Sequence, residues 1–117
     1  MSTLRIRGKV DYLPVSLHPE GTDWLDKEIA LTSDLHITNV QSIGTSEEAL
    51  VLGDVVTPGF IFVENLDVTN YVEIGLTGSY SVKLKAREWA IFRLAGAPYA
   101  LANTAAVIIK YTIYDGA

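Results

Sequence analysis

Alternation marks both ends of the chain, although Val107 to Ile109 also fills both faces of its strand. Leu4, Ile6, Gly8 and Val10 alternate with Arg5, Arg7 and Lys9, and Val107, Ile109, Tyr111 and Ile113 alternate through Ala105 to Tyr114. A two-residue period sends successive side chains to opposite faces, so each segment predicts a strand with one face toward a core. Tyr80, Val82 and Leu84, set between Ser81, Lys83 and Lys85, predict another. Glu88 to Leu94 places Ala90, Phe92 and Leu94 on one face and Trp89 with Ile91 on the other. Phe60 to Val63 is apolar at four successive positions, so both of its faces need cover.

The stretch Gly59 to Gly75 reads as two strands joined by a short polar turn, the clearest hairpin of the chain. Weaker alternation predicts strands over Lys27 to Thr32 and Leu35 to Ile43, with a turn between them. Ser46 suits a helix N-cap, yet Gly53 follows so soon that a strand over Ala49 to Leu52 is expected, with no more than a helical turn before it. Tyr99 to Ala102 adds a few extended residues. From Asp11 to Asp26 no period survives, and Pro14, Pro19 and Gly21 predict a long loop or arm. Eight to ten short strands separated by Gly, Pro, Asn, Asp and Ser turns predict an all-β chain. Its expected form is a two-sheet antiparallel β-sandwich with jelly-roll topology, and an immunoglobulin-like sandwich is the alternative.

The 117 residues predict one domain, 1–117, and 49% hydrophobic with 20% charged residues is globular composition. No run approaches the ~18 apolar residues of a membrane helix, and Met1 to Arg7 alternates where a signal peptide runs apolar. The expectation is a protein made without secretion and with no membrane partner. The absence of cysteine removes disulfides, thiolate zinc sites and a cysteine nucleophile. The net charge of −5 is uneven, with +3 in residues 1–10, −8 in 11–54 and balance in 55–117. An acidic domain with one basic strand argues against nucleic-acid binding, while that strand suits an acidic protein surface.

No catalytic constellation emerges. His18 and His36 have no metal spacing and no motif-placed serine, so catalytic, cofactor and metal sites are all read as none and the chain as no enzyme. The acids Asp23, Asp26, Glu28, Glu47, Glu48 and Asp54 match no calcium loop and read as solvated surface. Arg5, Arg7 and Lys9 either protect an edge strand from unwanted pairing or dock a partner. Trp24 either plugs the core or anchors a partner. Phe60 and Phe62 share one face of their strand, Ile61 and Val63 the other. One pair packs inside and the other meets a second subunit or a covering loop, and Ile61 and Val63 are assigned to the partner contact. Trp24, Tyr71, Tyr80, Trp89, Tyr99, Tyr111 and Tyr114 would form a sugar platform if several faced one way.

Gly59 to Gly75, then Lys83 to Leu94, then Tyr99 and Asn103 to Val107, resemble small virion proteins of tailed bacteriophages, above all the head decoration or cement class. The resemblance covers roughly the C-terminal half and lies in texture and order of segments. It implies a β-rich fold, often a jelly roll, assembled as a homotrimer on the capsid exterior and locking neighbouring capsomers. The implied partners are further copies of the chain and the major capsid protein, and the implied place of synthesis is the bacterial host cytoplasm. No functional residue is carried over from the family. The expected function is therefore non-enzymatic and structural, with Arg5, Arg7, Lys9 and Trp24 facing the shell. A phage tail or host-surface carbohydrate-binding module is the alternative.

Overall fold

A computed structural model of the chain describes residues 3–12, 21–31 and 33–116, and it divides into two compact units, Met1–Leu31 and Thr32–Ala117. The first unit holds β1 (Thr3–Tyr12) and β2 (Gly21–Ala30), an antiparallel pair that forms a sheet of its own. β2 corrects the loop expected over 11–26, since Gly21 to Asp26 is strand and so are Asp11 and Tyr12. Pro14, His18 and Pro19 lie outside the described residues. The strand escaped an apolar-period reading because Leu25 and Ile29 share their face with Asp23 and Lys27. Arg5 stands opposite Glu28, Arg7 opposite Asp26 and Lys9 opposite Trp24. Opposite charges across a strand pair favour that pairing without any dry face in the pattern.

The second unit is an antiparallel β-sandwich. One sheet has the order β3 (His36–Ile43), β10 (Val107–Asp115), β5 (Pro58–Asn65), β8 (Trp89–Arg93). The other has the order β4 (Glu48–Ala49), β9 (Tyr99–Ala102), β6 (Val72–Leu76), β7 (Ser79–Leu84). The sandwich expected over 1–117 is thus a property of the second unit, in which all eight of its strands lie. No helical turn precedes β4, and Leu50 to Leu52 leave the strand, with Leu50 buried.

The core lies between the two sheets. Ile43, Ile61, Val63, Val107, Ile109, Tyr111 and Ile113 enter it from one side, and Val72, Ile74, Leu84, Ala100 and Ala102 from the other. β10 is central and delivers the four alternating apolar residues read from its sequence. Ala90, Phe92 and Leu94 pack against that core as their period predicts.

Gly59 to Gly75 is not a hairpin. β5 pairs with β10 and β8, whereas β6 pairs with β7 and β9, so the turn between β5 and β6 crosses from one sheet to the other. Asn65 makes that crossing possible. Its side-chain amide, fully buried, donates to the carbonyls of Asn70 (2.9 Å), Leu84 (3.1 Å) and Lys85 (3.1 Å). Its Oδ1 accepts the Asp67 N–H at 2.8 Å, and the Asp67 carboxylate in turn accepts from the backbone of Thr69 and Asn70. These bonds satisfy backbone groups that a hairpin ladder would otherwise pair.

Candidate docking surfaces

Directly opposed residues of an antiparallel pair project to the same face. The β1–β2 register therefore gathers Arg5, Arg7, Lys9, Trp24, Asp26 and Glu28 on one side of the hairpin. Four of the six sequence-predicted site residues, Arg5, Arg7, Lys9 and Trp24, come together here. Arg5 holds Asp26 through two bonds of 3.2 Å and reaches Glu28 at 3.7 Å. Lys9 Nζ lies 5.4 Å from the Trp24 ring centroid and 3.4 Å from the Asp11 carboxylate. Arg7 faces an aspartate already engaged by Arg5, and makes no ion pair among the described residues. Trp24 is 76% exposed, so it is not a plug over a core. All these ion pairs are solvent-exposed and hold the hairpin weakly. The two-residue spacing of the acids matches that of the basic strand, a signal present in the sequence when acids are read as partners of Arg5 to Lys9 instead of as separate solvated surface.

The other two predicted residues are corrected. Ile61 and Val63 are fully buried in the sandwich core and cannot meet a partner. Their strand parity puts Phe60 and Phe62 outside instead. On that outer face Phe62 stacks on Trp89 with ring centroids 5.6 Å apart and planes 12° from parallel. Phe62 is 39% and Trp89 59% exposed. The Arg93 guanidinium sits 4.7 Å over the Phe60 ring, and its Nη1 donates to the Gly116 carbonyl at 2.8 Å. Ile108 and Val40 are also exposed on the outer face of β10 and β3, but Glu64, Lys110 and Thr112 lie between them and the stack, and His36 stacks on Tyr114. Because Phe60 to Val63 is apolar on both parities, nothing local in that run tells which pair turns inward. Aromatic residues and arginine in such a setting are the usual anchors of protein interfaces.

The opposite sheet carries a polar outer face, with Glu73 opposite Lys83 and the Lys83 ammonium 4.1 Å over the Tyr71 ring. At its end Glu47 accepts from Thr77 Oγ1 (2.7 Å), Gly78 N–H (2.8 Å) and the Tyr80 hydroxyl. The Tyr80 bond, followed by those of Thr77 and Gly78, holds the Glu47 carboxyl below the ordinary glutamate range. The same bond raises the Tyr80 phenol. In the core, burial raises Tyr111, whose hydroxyl lies 2.8 Å from the Val51 carbonyl, 3.0 Å from Gln41 Oε1 and 3.1 Å from Asn39 Nδ2.

An open cleft of about 390 Å3 is lined by Leu52, Val56, Pro58, Arg93, Leu94 and Gly96 among others. Its lining includes no carboxylate, imidazole or thiol. Among the described residues no group of three or more His, Cys, Asp and Glu side chains is placed to hold a metal ion. The chemistry on display is contact chemistry: stacked rings, cations over rings and backbone edges. Comparison of the chain with family models, with curated proteins and with solved structures returned no match.

Proposed function

We propose that this chain is a non-enzymatic structural protein of a tailed-phage particle, of the capsid decoration class. It acts by non-covalent clamping on the outer surface of the head, across contacts between capsomers. The observation that carries the reading is the Phe62–Trp89 stack, left exposed on a sheet whose opposite face is a closed core. Solvated aromatic surface of this kind gains most when a partner covers it. The basic row Arg5, Arg7 and Lys9 with Trp24 supplies a second contact, suited to an acidic shell surface. In this reading the partners are the major capsid protein and further copies of the chain, with neither nucleic acid nor membrane involved. The sandwich is read more finely as a jelly roll. The interleaved strand orders β3-β10-β5-β8 and β4-β9-β6-β7 support that topology, in which two Greek keys wind together.

The test is co-sedimentation of the purified chain with phage heads assembled without it. Saturable binding and a higher temperature of head disruption are expected. The double variant F62S/W89S is expected to bind at least tenfold more weakly, about 1.4 kcal/mol. Heads that neither retain the chain nor gain heat resistance overturn the proposal. The exposed Trp24 also favours a second reading, a carbohydrate-binding module. Its mark is glycan-array binding that disappears on Trp24→Ala.

A further inference from the structure

Strand pairing in the first unit stops at two strands. Among the described residues, no strand pairs with the far edge of β1 or of β2, each ten residues long. A two-stranded hairpin is marginal in water by itself, and an open edge of N–H and C=O groups is a template for another strand. The two edges differ in charge. β1 carries Arg5, Arg7 and Lys9 against Asp11, while β2 carries Asp23, Asp26 and Glu28 against Lys27. Two β1 edges side by side set a cationic strand against its copy, and two β2 edges set a net-negative strand against its copy. Like charges opposed across strands disfavour pairing. A β1 edge beside a β2 edge instead repeats the register that already joins them, with Arg5 against Glu28 and Arg7 against Asp26.

From this complementarity we infer that copies of the chain join head to tail through their hairpins, the β1 edge of one pairing antiparallel with the β2 edge of the next. The contact is heterologous, uses a different surface on each side, and closes into a ring of copies related by rotation. It brings further carboxylates beside Arg7, the cation of the row that has no ion pair among the described residues. It also makes contiguous the second face of each hairpin, where Leu4, Ile6, Val10, Leu25 and Ile29 stand with Asp23 and Lys27. The inference rests on the reading of the chain as a self-assembling structural protein, and supplies the surface by which copies meet.

Four full-length chains test it by size-exclusion chromatography with light scattering at low salt. They are the wild type, R5E/R7E/K9E, D23K/D26K/E28K, and the chain carrying all six changes. The wild type is expected as a cyclic oligomer. Each three-residue variant is expected to lose the oligomer alone, and an equal mixture of the two to form oligomers in which the two chains alternate. The six-residue variant keeps opposite charges within its own hairpin. It is expected to assemble with itself and, by native mass spectrometry, to share no subunits with the wild type. That last comparison holds even if the like-charged hairpins fail to fold. A monomeric wild type overturns self-assembly and edge pairing together. A wild-type oligomer that persists in either three-residue variant, or that exchanges freely with the six-residue variant, overturns the edge pairing alone.

Discussion

Asn65 shows how much one side chain decides. It is the buried polar residue of the described chain, and its amide binds three carbonyls while its oxygen takes the Asp67 N–H. Asn65→Leu keeps the volume but leaves the Leu84 carbonyl without this donor. An unsatisfied buried group costs about 1–3 kcal/mol, so the unfolding free energy should fall by that amount, read as a lower urea midpoint at unchanged slope. A midpoint equal to wild type would show that packing alone makes the crossing. Gly75 is bound as tightly by space as Asn65 is by hydrogen bonds. A Cβ there would lie 2.1 Å from the Ser79 carbonyl oxygen and 2.8 Å from Tyr80 Cα, where β6 and β7 shift register. Backbone atoms cannot swing aside as a side-chain end can. Gly75→Ala should therefore lower the thermal midpoint measurably, while Gly78→Ala meets no neighbour and is penalised through its φ of 76° instead. No local pattern in the sequence separates these two glycines.

At the scale of elements, the turns are held by carboxylates. Glu47 ties the β6–β7 turn through Tyr80, Thr77 and Gly78, and Asp67 ties the β5–β6 crossing through the backbone of Asn70 and Thr69. Both carboxyls are held below their ordinary values by these bonds, for Asp67 through Asn70 first and then Thr69. A depressed folded-state value means stability that is complete above the unfolded-state value and is lost as pH falls through the folded one. Stability measured by denaturant should accordingly decline on the acid side of the ordinary carboxylate range. The double variant E47Q/D67N should be less stable at neutral pH and show a flatter acid decline. An unchanged slope would place the acid sensitivity elsewhere. The outer strip behaves differently: Phe62 and Trp89 are exposed, so F62S/W89S should shift the unfolding free energy by no more than about 1 kcal/mol. A larger loss would make the stack a part of the fold. Elements with one alternating apolar row, such as β7 and β10, were legible from their period. β2 was legible only from Lys27 on, because before it the apolar and charged residues share a face and the pairing partners lie on another strand.

For the whole molecule, the buried residues of the sandwich core cluster all fall between Ile43 and Ile113, inside the second unit. Removal of residues 1–31 should therefore leave a chain with a β-sheet circular dichroism spectrum and a cooperative unfolding transition. A molten or aggregated product would mean that the sandwich depends on the hairpin. The sequence by itself determined the class: a two-residue period, frequent turn residues and a surplus of apolar positions permit strands stacked in two sheets and little else. It also determined the inward row of β10, since alternation there leaves one choice. Only the tertiary structure decided what pairs with what. β5 and β6 are neighbours in sequence yet lie in different sheets, while β3 finds β10 from the other end of the unit. Strand partners are selected by hydrogen bonds between distant segments, and a run apolar on both parities carries no local mark of its inner side. That is why Ile61 and Val63 proved to be core, and why Phe62 and Trp89 stand on the surface.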